Sequence, residues 1–165
     1  MAAVTIRPAT ADDWPAIWPF FRATVQAGET YAFPMDLTLE SGRGWWLSEA
    51  PALTVVLEED GVILGSAKMG PNRPGHGDHI GTASFMVAPE ARGRGVGRAL
   101  AEYVVQWHRD GGYHGIQFNA VVATNTVAVR LWQDLGFEIV GTVPDAFRSP
   151  SHGIVGLHVM YLPLA

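Results

Sequence analysis

The chain contains no cysteine, which excludes disulfides and thiolate metal sites and lends no support to a secreted origin. Charge is scarce too: 16% of residues are charged, the formal net charge is -5, and Lys68 is the single lysine beside ten arginines. A general nucleic-acid binder needs a broad basic surface to displace counterions, so that class is disfavoured. No apolar run approaches the length of a membrane span, and the start, MAAVTIRPAT, lacks the charged head and apolar run of an export signal. A soluble cytoplasmic protein with no membrane partner is the expectation. Repeats, low-complexity tracts and Pro/Gly/Ser-rich linkers are also missing. What is plentiful is apolar surface: 48% hydrophobic residues in 165, enough for one core and short for two, so residues 1–165 are expected to form one domain.

Periodicity supplies the elements. VTIRPAT alternates as a strand ending at Pro8, and Trp14, Ile17, Trp18, Phe20, Phe21 and Val25 recur at helical spacing between Asp12 and Ala27, with Thr10 and Asp12 as caps. A poorer helix over 38–48 is weakened by Gly42 and Gly44, and its WWL end should be buried. Two β-rich runs flank Glu59-Asp60-Gly61, a hairpin signal. After a Gly/Pro-rich loop over 72–78 come the strand HIGTASFMVAP and a helix with Leu100, Val104 and Trp107 on one face. The strand GIQFNAVV, a helix opened by Asn125 and closed by Gly136, and the strands FEIVGTVP and GIVGLHVMYLPL complete the chain. The predicted order is β α α β β β α β α β β, an α/β architecture with helices against a mixed sheet.

Between two of these elements lies PEARGRGVGRAL, with three glycines and three arginines in the seven residues from Arg92 to Arg98. A strand, a glycine turn and a helix together aim free backbone N–H groups and a positive dipole end at one spot, which suits phosphate. The glycines keep side chains out of that spot or permit positive φ, and the arginines add forked donors. Neither common phosphate signature fits. Lys68 is far from this loop, so GxxxxGK[ST] fails, and Arg98 stands where GxGxxG needs its last glycine.

VAPEARGRGVGRAL resembles the acetyl-CoA pyrophosphate loop of the Gcn5-related N-acetyltransferase (GNAT) family, and FNAVVATNTVAVRLWQDLGFEIVG resembles that family's later strand, Asn-opened helix and L-G-F ending. Both occur in the family's order and the order of elements matches, so the resemblance covers nearly the whole chain. The resemblance implies the GNAT fold, a mixed, mostly antiparallel sheet of about seven strands flanked by about four helices. It also implies acetyl-CoA as cosubstrate. GETYAFP and the second motif are further similar to acetyltransferases of small amino-acid-like amines, of the phosphinothricin, methionine sulfoximine and L-azetidine-2-carboxylate types. The activity implied is acetyl transfer to the primary or secondary amine of a small acceptor by direct attack. A non-catalytic acyl-CoA sensor and a protein or peptide N-acetyltransferase are the alternatives.

By the same resemblance, backbone groups of Met86 and Val87 bind the pantetheine arm and polarise the thioester, and Arg92, Gly93, Arg94, Gly95, Val96, Gly97 and Arg98 hold the pyrophosphate. Asn125 caps its helix, touches CoA, or does both. The family's usual Tyr before L-G-F is Trp132 here, and an indole N–H donates but is no general acid. Asn119 and Asn125 are then the candidates to orient the acceptor or assist the leaving thiolate. For the base, Glu29, His79, His158 and a water chain are open. Glu29, Thr30, Tyr31 and Asn119 line the expected acceptor wall. The six histidines show no metal-ligand spacing, so no metal is expected. Trp45, Trp46 and Trp107 are assigned to packing, the loops over 27–36 and 144–153 to acceptor choice, and a homodimer is permitted.

Overall fold

A computed structural model describes residues 3–164. In chain order these form β1 (Val4–Pro8), α1 (Trp14–Ala27), α2 (Leu39–Trp46), β2 (Leu53–Glu59), β3 (Val62–Pro71), β4 (Ile80–Val87), α3 (Val96–Asp110), β5 (Gly115–Val122), α4 (Thr126–Asp134), β6 (Glu138–Ser149) and β7 (Gly153–Pro163). The order is the one read from periodicity. The seven strands make one sheet, β1-β2-β3-β4-β5-β7-β6, antiparallel throughout except where β4 meets β5.

Side chains of successive strand residues leave opposite faces of a sheet, and this assigns the helices. A Cβ at Gly65 would meet Val96 and Leu100 of α3, whereas the neighbouring Ser66 accepts a hydrogen bond from the Trp46 indole of α2 at 2.8 Å. Helices α2 and α3 therefore cover opposite faces. Trp14, Ile17, Phe20, Phe21 and Val25 of α1 are buried as their spacing predicts. Gly42, which weakened the expectation for α2, is there for packing: a Cβ would stand 2.8 Å from the Trp18 ring and 3.2 Å from Phe21. Its absence lets α2 lie close on the aromatic row of α1. The β2–β3 hairpin turns through Asp60 and Gly61 at φ 50° and 81°, the left-handed pair a two-residue turn requires.

Three local expectations change. Trp46 is fully buried but Trp45 is 43% exposed, so WWL is only partly interior. In α3 the fully buried position after Val104 is His108, and Trp107 is half-buried. The His108 Nδ1–H donates to the Val104 carbonyl at 2.8 Å. Strand β6 runs on past Pro144, with a register break between Val143 and Phe147 that accommodates the proline. Most of 144–153 is thus strand, and the turn to β7 is short.

Candidate active site

Strands β4 and β5 pair only at Ile80–Gly115 and Gly81–Ile116, and beyond those residues the sheet opens into a gap. Antiparallel pairing turns alternate residues toward opposite neighbours. The Ala88 N–H donates to Leu64 of β3, so by alternation Met86 and Ser84 also turn their backbone groups to β3, while Ala83, Phe85 and Val87 turn theirs into the gap. This corrects the assignment of Met86: its amide is committed to the sheet, and the gap-facing groups are those of Phe85 and Val87. Trp132 from α4 wedges the gap on the α3 face, with ring centroids 4.8 Å from both Phe85 and Phe118. Its indole N–H forms no hydrogen bond among the described residues.

At the mouth of the gap stands the glycine loop. Gly93 and Gly95 have φ of 76° and 79°, the left-handed region that only glycine enters without strain. Gly97 differs, lying in the first turn of α3 without a positive φ. A Cβ there would lie 3.8 Å from Val87 and 3.9 Å from Leu131 of α4, which places it between the end of β4 and α4. Gly95 is the N-cap of α3 and brings no side-chain cap. The N–H groups of Val96, Gly97 and Arg98 are therefore left for an outside acceptor at the positive end of a 15-residue helix.

The arginines behave less uniformly than their clustering suggests. Arg94 is paired with Glu59 on the β2–β3 hairpin, and Arg98 with Asp134 at the end of α4, at 3.0 Å. Arg92 is exposed and forms no ion pair among the described residues. Backbone amides, with Arg92 nearest to free, are what the loop offers an anion directly. Asn125 caps α4, its carbonyl oxygen accepting from Ala128 N–H at 3.3 Å.

On the other face the α1–α2 connection reaches the gap. The Phe85 N–H donates to the Tyr31 hydroxyl at 2.8 Å, and that hydroxyl donates to the Phe85 carbonyl at 2.6 Å. Tyr31 therefore satisfies both polar groups that the missing β5 partner leaves open. Desolvation pushes its pKa up to about 12, so it stays protonated and its O–H remains a donor. Thr30 is half-buried beside it.

Glu29 does not reach the gap as a free base. Its carboxylate accepts from Ser149 Oγ at 2.5 Å, Ser151 N–H at 3.0 Å and Ser151 Oγ at 2.8 Å, bolting the α1–α2 connection to the β6–β7 turn. These bonds hold its pKa below the usual 4.5, with His152 adding a smaller charge effect. A depressed carboxylate is a weaker base, so the geometry makes Glu29 an anchor. A lowered folded-state pKa contributes stability above the unfolded value, and that contribution is lost as pH falls through the folded one. Thermal melts below about pH 4.3 should therefore fall more steeply for the wild type than for Glu29→Gln; parallel profiles would show that the anchor carries no charge-dependent stability.

Asn119 lies on β5 beside the register break after Phe118. Its Nδ2 donates to Asn72 at 2.6 Å, and its Oδ1 accepts from Gln117 at 2.9 Å and from Asn72 at 3.3 Å. A polar bridge thus runs from the end of β3 to β5 on the Tyr31 side of the sheet. His79 directly precedes β4, roughly 26 Å of strand from Val87, and is set against His114. His158 meets Thr142 of β6 through Nδ1 at 2.7 Å. Among the described residues no group of three or more His, Cys, Asp or Glu is placed to hold a metal, and no helix is long and apolar enough to cross a membrane.

A strand gap faced by the Val87 amide, with free helix-start amides at its mouth, suits a ligand with an extended arm that ends in an anionic group. The comparisons name the family. Residues 13–137 match the model of the acetyltransferase (GNAT) family, and the chain belongs to it. A solved GCN5-related N-acetyltransferase from Kribbella flavida is 57% identical with a TM-score of 0.95, covering 98% of each chain. The yncA protein of Salmonella typhimurium, solved with its cofactor acetyl-CoA, is 25% identical with a TM-score of 0.87 over 99% of this chain and 95% of that one. The L-methionine sulfoximine/L-methionine sulfone acetyltransferase of Pseudomonas paraeruginosa is 30% identical over 152 residues, 87% of this chain and 85% of that protein. The chain is thus an acetyltransferase using acetyl-CoA as cosubstrate, with relatives that act on amino-acid-like compounds.

Sequence reasoning missed Phe85, Lys68 and the Ser149–Ser151–His152 cluster. Phe85 acts through its backbone, which a side-chain pattern cannot show. Lys68 carried one signal, its being the sole lysine.

Proposed function

We propose that the protein transfers the acetyl group of acetyl-CoA to the primary or secondary amine of a small, amino-acid-like acceptor by direct attack. The observation that carries this reading is the tie at Glu29. By joining the α1–α2 connection to the β6–β7 turn, it closes one side of the acceptor region, which suits a small molecule better than an extended peptide. In the step itself, the amine nitrogen bonds to the thioester carbonyl carbon, the carbon–sulfur bond breaks, and the ammonium proton leaves through water. The Val87 N–H, which faces the gap, stabilises the developing oxyanion. A thiol of pKa about 8.5 needs only a hydrogen bond to depart near neutral pH, and the unpartnered Trp132 N–H supplies a donor in place of the family's Tyr. Glycines 93 and 95 with the first amides of α3 hold the pyrophosphate, and Asn119 orients the acceptor.

The test is a thiol-release assay with acetyl-CoA against free amino acids, proline analogues, phosphinothricin, methionine sulfoximine and a lysine peptide. Turnover of a small amine with little of the peptide is the expected result. Efficient peptide acetylation would transfer the protein to the peptide class. Acetyl-CoA binding without turnover of any amine would instead favour a sensor, in which Trp132 marks the loss of chemistry.

A further inference from the structure

Lys68 sits on β3 opposite Ser84 of β4, on the face covered by α2. Its ammonium donates to the Trp45 carbonyl at 2.8 Å and lies 5.5 Å from the centre of the Phe33 ring and 5.6 Å from that of Trp46. Trp45 is in the last turn of α2, so this bond satisfies one orphan helix carbonyl and fixes where the cation points. An ammonium has three donors, and only this one neutral partner accepts from it among the described residues. Arg7, Arg94 and Arg98 all hold carboxylates in the same structure. Lys68, half-buried between aromatic rings, has none. Taking a cation partly out of water without a counter-charge is unfavourable, and burial pulls the Lys68 pKa below its usual value.

The surroundings indicate where an anion would come from. The Tyr31 ring stacks on Phe33 with centroids 5.1 Å apart, and the Tyr31 hydroxyl holds the gap-facing backbone of Phe85. Lys68, Phe33 and Tyr31 thus form a row on one face that ends at the gap-facing backbone of Phe85, and neighbouring strands stand only about 4.8 Å apart. An acceptor whose amine is at the gap can lay a carboxylate back along this row.

We propose that Lys68 is the carboxylate anchor of the acceptor site, held by Phe33, Trp46 and the Trp45 carbonyl, and that it selects amino acids over amines lacking an acid group. The inference rests on the small-acceptor reading above and names the group by which that acceptor is recognised.

The test compares one amino acid with its carboxamide for the wild type, Lys68→Met and Lys68→Arg. Lys68→Met keeps the length of the stem and removes the charge. KM for the amino acid is expected to rise tenfold or more in Lys68→Met, with the carboxamide and acetyl-CoA values within twofold of wild type and Lys68→Arg restoring part of the loss. Equal losses on acid and carboxamide would reduce Lys68 to a helix-capping role and overturn the proposal, as would no loss on either. Should Lys68→Met fail to fold, the wild type decides: an acid preference below tenfold in kcat/KM overturns the proposal. Wild-type turnover of amines without a carboxylate, and not of amino acids, sinks this inference while leaving the small-amine reading standing. No turnover of any small amine removes both.

Discussion

Gly95→Val is expected to weaken acetyl-CoA binding well over tenfold while the protein stays folded. Gly95 stands at φ 79° as the residue from which α3 begins, and a β-branched residue is a genuine outlier in that region. No heavy atom lies within 4 Å of a Cβ built there, so the substitution meets no clash inside the protein. The cost to the free fold is backbone strain of about 1–3 kcal/mol. The new side chain would sit where the loop must approach an anion, and relief of the strain would rotate the amides of Val96 and Gly97 away from it. Gly112 supplies the control, having φ 76° and open space around its Cβ beyond the other end of α3. Gly112→Val should show similar strain with unchanged cosubstrate affinity. Titration calorimetry with acetyl-CoA reads both, and unchanged affinity in a folded Gly95→Val protein would remove the loop from the cosubstrate site.

Tyr31→Phe is expected to lower turnover about tenfold and to destabilise the protein, because one hydroxyl serves two backbone groups. Removing it leaves the Phe85 N–H and carbonyl without their partner, at a cost of roughly 1–3 kcal/mol for each group that stays dry. The gap-facing edge of β4 then loses its brace beside the Val87 amide, which is where a misplacement would be felt in the chemistry. Because the phenol pKa is raised from 10.0 to about 12, the hydroxyl's contribution is fully present below the unfolded value and is lost as pH rises through the folded one. Wild type and variant should therefore converge in stability in strongly alkaline buffer. Chemical denaturation at neutral and alkaline pH, with kcat at neutral pH, measures this; equal stability and turnover would make Tyr31 an ordinary wall residue.

Much of the fold was legible because it is local. Buried positions along α1, the Asp60-Gly61 turn, the Asn125 cap and the glycine loop each announce themselves within a few residues. The exceptions share a cause. Gly42 reads as a helix weakener until the aromatic rings of α1 are placed against it. Trp107 and His108 compete for the same helical face, and only packing against Gly81, where a Cβ would meet the His108 ring at 2.2 Å, shows why the histidine is the buried one. Arg94 and Arg98 read as phosphate ligands from their spacing; that Glu59 and Asp134, 35 and 36 residues away, pair with them is visible only in the fold.

The strand, glycine turn and helix that leave free amides at one spot were legible in the sequence alone, because they are contiguous and their backbone geometry follows from residue type, and the resemblance carried by that stretch named the family. The surroundings of the gap were decided only in three dimensions. Tyr31 meets Phe85 across 54 residues and Glu29 meets Ser149 across 120, and the first contact exists because β4 and β5 part after two paired residues. A string of residues states which backbone groups can pair; the opening of the sheet decides which are left for a side chain or a substrate to satisfy.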